Sequence, residues 1–345
     1  MAKTLPRRAW FAGLTAVIAA TIGLSVAAPA SAKEKDAVVL GALRFTSHSA
    51  GFIAFEKGYF AEEGLDVSFK FFQAAQPIAV ATAGGDVDFG VVGVTGGMMN
   101  LAEKNAVRIV AGVLHEKKGV DGMMILASNK AHAAGLDSVA KIKGHSVSMT
   151  QVGSTFHYMS SRIADKEGFD LKEVRLVPLQ KVGAMIAAIK SGQTDVMIMV
   201  PHIAKSLVKS GAAKKIGWLS DYAEYQISTL LTSVSNIEEK RDMTERFIRA
   251  YARGINEFNR VMLAKEADPA ELEAMTRMIH KYVYADRPYE KAAPSIQAGA
   301  MNLNADAALD KTDVSKQMKW FQDQGLVKTR LSVEQLVDDS FVRNY

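Results

Sequence analysis

The chain has 345 residues, 48% of them hydrophobic, with 42 Lys and Arg against 37 Asp and Glu, an ordinary globular composition large enough for two lobes. The formal net charge of +5 is not gathered into any dense basic run, which sets nucleic acid aside as a partner. Cysteine is absent, so the chain has no disulfide framework, no thiolate nucleophile and no thiolate metal site.

Lys3, Arg7 and Arg8 precede an apolar run from Ala9 to Ala28 that ends in Ala30-Ser31-Ala32. A basic start, an apolar core and a small-residue end describe a cleavable signal peptide over residues 1–32. An uncleaved anchor is the alternative, weakened because Ala, Gly and Thr make a poor span. Arg7-Arg8 hints at the twin-arginine route, but Pro6 and the residues after the pair match it poorly. Loss of the three positive charges would leave a mature chain near +2. The expectation is a protein free in a Gram-negative periplasm.

The first mature strand is read over Val38–Phe45, with Thr46-Ser47-His48-Ser49 as its exit loop. A helical run holding Phe52, Ile53 and Phe55 ends at Tyr59-Phe60, and Gly64 supplies the left-handed turn into a strand over Leu65–Phe69. A helix over Pro77–Ala83 stops at Gly84-Gly85, and Asp86-Val87-Asp88-Phe89 opens the next strand. Thr95-Gly96-Gly97 then leads into a helix from Met98 to Lys104, followed by a strand over Val107–Leu114 and by His115. Helix and strand alternating over short loops predict an open, mostly parallel sheet.

The segment GYFAEEGLDVSF over residues 58–69, followed by GGDVDFGVVG over 84–93, resembles the signature of periplasmic solute-binding proteins that serve ABC importers. The nearest group is the one that binds nitrate, sulfonates, taurine and thiamine precursors, and the resemblance extends more loosely from Val38 to Asn344. It implies an α/β, two-lobed type II periplasmic binding protein with two hinge crossings. It also implies a small anionic organic ligand, an inner-membrane ABC permease as partner, no cofactor, a monomer and no catalysed reaction.

Asp121–Ser128 reads as a strand leaving the first lobe, Leu136–Gly144 as a short helix and His145–Thr150 as a strand. Gly153-Ser154-Thr155 starts a helix running to about Lys166. Val174–Pro178, Val182–Lys190, Asp195–Val200, His202–Ser210 and Lys214–Leu219 continue the strand–helix rhythm. Tyr225–Ser233 is the return strand, and helices over Met243–Met262 and Ala270–Tyr284 pack on the first lobe. The lobe bounds are then 33–127 and 228–345 for the first lobe and 128–227 for the second. Spacing supports two like lobes: Gln73, Gly85 and Asp88 recur without a gap as Gln180, Gly192 and Asp195. Both aspartates open strands, away from the ends where ligands gather, so they are expected to be structural.

Ligands of open α/β sheets bind beyond the carboxyl ends of the strands. The candidate binding residues at those exits are Ser47, His48, Ser49, Gln73, Thr95, Gly96, Gly153, Ser154, Thr155 and His202. Gly153-Ser154-Thr155 suits an anion because first-turn amides lack intrahelical partners, although a plain N-cap explains the same residues. His48, His115, His157 and His202 all fall near strand exits, which leaves a metal carrier open, but no tight ligand motif accompanies them. Phe156, Tyr158 and Tyr222 are candidates for the pocket wall, although aromatics near a helix start more often belong to the core. No G-x-S-x-G, phosphate loop or dinucleotide fingerprint is present. The enzymes with the same resemblance, the thiamine pyrimidine synthases, carry a cysteine-rich motif that this chain lacks. A small organic anion, sulfonate or carboxylate, aliphatic or aromatic, is the expected ligand; a thiamine-precursor pyrimidine carrier, a metal carrier and a pyrimidine-synthase-like enzyme are the alternatives.

Overall fold

The structure, a computed structural model, describes residues 35–263, 267–328 and 330–344, so the signal peptide read over 1–32 lies outside it. The first half of the described chain runs β1 (Asp36–Ala42), α1 (Ser49–Glu56), α2 (Tyr59–Glu62), β2 (Leu65–Phe71), α3 (Ala75–Ala83), β3 (Phe89–Gly93), α4 (Gly96–Glu103) and β4 (Val107–Glu116). There follow β5 (Met124–Ser128), α5 (Asn129–Ala133), β6 (Ser146–Met149), α6 (Thr155–Glu167), β7 (Arg175–Pro178), α7 (Val182–Ser191), β8 (Val196–Met199), α8 (Pro201–Lys209) and β9 (Ala213–Trp218). The last part holds β10 (Tyr225–Ser233), α9 (Val234–Glu239), α10 (Arg241–Phe258), α11 (Pro269–His280), α12 (Tyr289–Gln297), α13 (Lys311–Asp323) and α14 (Val333–Leu336).

These elements build two five-stranded sheets in the orders β2-β1-β3-β10-β4 and β7-β6-β8-β5-β9. One strand of each, β10 or β5, runs antiparallel to its neighbours, and the rest are parallel. The central strands β5, β8 and nearly all of β10 are buried along their length, as continuous apolar runs covered on both faces should be. The fold is the two-lobed type II periplasmic binding architecture.

Each lobe is clipped by the aspartate that the spacing picks out. Val39 N–H donates to Asp88 Oδ2 at 2.8 Å, and Ser146 N–H donates to Asp195 Oδ2 at 2.9 Å. Burial works against the ionised Asp195, but the Ser146 amide and hydroxyl and His145 together hold it below its ordinary range.

The chain passes to the second sheet between Glu116 and Met124 and returns between Trp218 and Tyr225. The segment expected to leave the first lobe as a strand therefore pairs, as β5, with β8 and β9 of the second sheet. Only a 3₁₀ turn, Val139–Lys141, forms where a short helix was expected. Helix α3 starts at Ala75, two residues before Pro77, because a proline in the first turn removes an N–H that has no helical partner anyway.

The C-terminal helices complete the first lobe. Helix α10 buries Phe247, Tyr251, Ile255 and Phe258, spaced by three or four residues. Phe247 stacks on Phe89 at 3.9 Å between ring centroids and on Phe60 at 4.9 Å. The return strand β10 is anchored from the same region. Gln226 receives bonds at its carbonyl from Gln317 Nε2 (2.8 Å) and donates its backbone N–H to Asp313 (2.9 Å).

Candidate functional site

The two lobes meet around a cavity lined by residues of both. The lobes also touch each other directly. Gly96 N–H donates to Gly153 O at 3.0 Å and Val182 N–H donates to Gln73 O at 3.4 Å. Trp320 sets its edge against His157 and Tyr158, at 5.2 and 5.3 Å. On the opposite side Lys205 Nζ donates to Ala298 O at 2.8 Å. Close approach also needs a glycine: a Cβ on Gly93 would overlap Thr155 Oγ1 from the other lobe.

Helix starts dominate the lining. Ala75 and Gln76 open α3, Thr95 caps α4, Thr155 and Phe156 open α6, and Val182 opens α7. First-turn amides have no intrahelical partner, and the aligned peptide dipoles make each such end partly positive. Thr95 and Ser154 both precede helices but act differently. Thr95 Oγ1 accepts from Met98 N–H at 3.2 Å, a true cap whose own proton remains available. Ser154 makes no side-chain cap bond, and Gly153, at φ 78°, turns the chain just ahead of it.

Four lining side-chain oxygens are buried without a partner among the described residues: Ser47 Oγ, Gln76 Oε1, Ser154 Oγ and Ser228 Oγ. A buried polar atom left unpaired costs about 1–3 kcal/mol; others lie away from the cavity, at Thr194, Tyr251 and Gln317 among them, but these four face a space in which an entering group could meet them. His48 adds a directed donor. Its Nδ1 accepts from Leu43 N–H at 3.2 Å, and burial depresses its pKa to about 3, so the neutral ring carries its proton on Nε2. Much of the remaining wall is apolar, with Leu43, Phe45, Phe156, Met159, Val182 and Ile227 on it.

Of the ten residues expected at the site, Ser47, His48, Thr95, Ser154 and Thr155 line the cavity. Gln73, Gly96 and Gly153 do not; they bond across the cleft at its rim. Ser49 is buried in the first turn of α1, outside the lining. His202 lies behind Phe45, whose ring meets His202 at 5.3 Å and His48 at 5.7 Å. Both His202 nitrogens are buried and have no partner among the described residues. Burial, with His48 adding to it, depresses the His202 pKa to about 3. The other two histidines lie elsewhere: His157 Nδ1 accepts from Gly153 N–H at 3.1 Å, and His115 Nδ1 sits 2.8 Å from Glu116 O. Among the described residues no group of three or more His, Cys, Asp or Glu side chains is placed to hold a metal ion.

Gln76, Thr150, Gln151 and Ser228 complete the polar lining. Gln76 was hidden by the assumption that its helix begins at Pro77. Gln151 is legible as part of the exit from β6. Ser228 reaches the cavity because the β10 ladder shifts register between Gln226 and Ser228, and no residue pattern announces that bulge. Of the candidates for the wall, Phe156 lines the cavity, whereas Tyr158 packs between Tyr225 and Trp320.

A family model described as NMT1/THI5 like matches residues 45–259. No curated protein matches the chain. The fold is similar to that of the alkanesulfonate-binding protein SsuA from Xanthomonas axonopodis pv. citri bound to MOPS, with 16% identity, a TM-score of 0.70 and coverage of 90% of this chain and 100% of that one. The periplasmic nitrate-binding protein NrtA from Synechocystis PCC 6803 is similar at 15% identity and a TM-score of 0.67, covering 89% and 87%. The desulfurization enzyme DSZB follows at 12% identity and 0.59, covering 89% and 97%. At these identities the likeness is one of fold.

Proposed function

Since the chain belongs to the NMT1/THI5-like family, we propose that it is the substrate-binding component of an ABC-type importer. It captures a small organic anion, a sulfonate or carboxylate with an aliphatic or aromatic body, between its two lobes. It works as a monomer in the periplasm after loss of residues 1–32, needs no cofactor, catalyses no reaction and delivers its ligand to an inner-membrane permease. The hinge lies in the two crossings, residues 117–123 and 219–224. Closure follows from ligand contacts that both lobes must supply together.

The observation that carries this reading is the set of four buried oxygens without a partner among the described residues, three from the first lobe and Ser154 from the second, that line one cavity. Helix starts on both sides favour a negative group, and the apolar wall accounts for an organic body. A neutral thiamine-precursor pyrimidine is the second reading, favoured by the lack of any Lys or Arg in the lining. Ligand present at about 100 times its dissociation constant adds roughly 2.7 kcal/mol to stability, or a melting shift of about 5 °C for a chain this large. A thermal-shift panel of sulfonates, carboxylates, nitrate, pyrimidines and divalent metals tests it. The reading expects a shift with an organic anion that mass spectrometry then recovers unchanged. A shift with pyrimidines alone supports the second reading; a shift with metals alone, or a converted ligand, overturns both.

A further inference from the structure

Among the described residues, the polar groups facing the cavity are hydroxyls, amides and one imidazole, and no Asp, Glu, Lys or Arg lines it. Resting on the organic-anion reading, we propose that this site is a charge filter that accepts one delocalised negative charge and rejects both an ammonium group and a second negative charge. Its ligands are non-amino alkyl or aryl monosulfonates and monocarboxylates.

The positive potential in the cavity comes from the starts of α3, α4, α6 and α7, each a fraction of an elementary charge. The Gly96, Met98 and Val182 amides are already bonded within the protein, but the remaining first-turn amides, with Ser47, Ser154, Ser228 and the His48 Nε2–H, can spread over the oxygens of one anionic head. They cannot neutralise two heads, and a second buried charge without a partner is strongly disfavoured. An ammonium meets the opposite fault. The same helix starts repel it, and its only side-chain acceptors are neutral oxygens such as Gln76 Oε1.

The buried carboxyl beside the lining residue Met123 does not rescue it. Glu116 lies behind Met123, whose N–H donates to both of its oxygens at 3.1 and 3.0 Å. Burial raises its pKa to about 8, so at neutral pH it is largely uncharged. Arg44 is turned outward, over the Phe71 ring at 3.8 Å and onto Tyr282 O at 2.9 Å. The filter is therefore built by leaving charge out, a means of exclusion rather than of attraction.

Calorimetric titration of the exported mature protein at pH 7.5 with two matched series tests the filter. One series is propane-1-sulfonate, 3-aminopropane-1-sulfonate and propane-1,3-disulfonate; the other is butyrate, 4-aminobutyrate and glutarate. In at least one series the plain monoanion should bind about 100-fold more tightly than its amino and dianionic partners. An amino or dianionic member that binds as tightly as the monoanion overturns the filter and leaves the organic-anion reading standing. Silence of all six compounds, with a pyrimidine active in the thermal panel, overturns the organic-anion reading and the filter with it. Ser228→Asp should reverse the order within a series by adding a counter-charge for ammonium, while Ser228→Asn should weaken all members alike. Equal losses from both variants count against the filter.

Discussion

The two lobes share a strand order and a clip, and they differ in what they offer the cavity. In each lobe the third parallel strand begins after an aspartate that binds the amide of the first strand, Asp88 to Val39 and Asp195 to Ser146. Each also pins the loop after its first strand with an imidazole, His48 Nδ1 to Leu43 N–H and His157 Nδ1 to Gly153 N–H. The difference lies at the cavity. The first lobe turns His48 into it, whereas the second turns His157 toward Trp320 and presents Ser154 and the start of α6. What repeats between the lobes holds the fold, and what fails to repeat serves the site.

Breaking a repeated element should hurt most. Asp195→Ala leaves the Ser146 amide and hydroxyl without their acceptor, and Asp88→Ala does the same to Val39. Each should cost about 3 kcal/mol, as losses of bonds to a charged acceptor do, and lower the melting temperature by about 6 °C. Calorimetric melting checks it; either variant melting within a degree of the parent breaks the equivalence.

The histidines sharpen the contrast through pH. His48 and His202 are buried neutral, with pKa values near 3 against an ordinary 6.5. Their contribution to stability is complete above 6.5 and is lost progressively as pH falls from there toward 3. Between pH 7 and pH 5 each such histidine should remove about 2 kcal/mol. His202→Leu should therefore flatten the fall of melting temperature over that range by about half. A parent whose melting temperature is level from pH 7 to pH 5 contradicts the burial of both rings.

Smaller effects separate cap from contact. Thr95→Ala removes a bond that α4 uses and should cost about 1 kcal/mol of stability. Ser154→Ala removes none and should leave melting within about 0.5 kcal/mol of the parent. It should instead weaken ligand binding by about 0.5–1.5 kcal/mol, measured by titration with the strongest compound of the thermal panel. Equal melting losses in the two variants would return Ser154 to the role of an ordinary cap.

Repetition also explains what was legible in the sequence. The matched glycine and aspartate spacings mark the strand starts because local turn chemistry fixes them, and the strand exits follow. Ser47, His48, Thr95, Ser154 and Thr155 could be named for that reason. Gln73, Gly96 and Gly153 sit at equally plausible exits, yet the meeting of the lobes uses their backbone at the rim. Ser228 and His202 depend on a bulge and on packing behind Phe45, both tertiary. The strand β5 looked like the end of the first lobe because an apolar run carries no label for the sheet that will accept it.

The central claim is that both lobes hold one ligand between them, and a crystal structure of the protein grown with the strongest compound of the thermal panel tests it most directly. The account predicts the ligand's polar head within hydrogen-bonding distance of Ser47 Oγ on one lobe and Ser154 Oγ on the other, with its body against Phe45 and Phe156. Ligand density outside this cavity, or bound to one lobe alone with Ser154 still unpartnered, would contradict it.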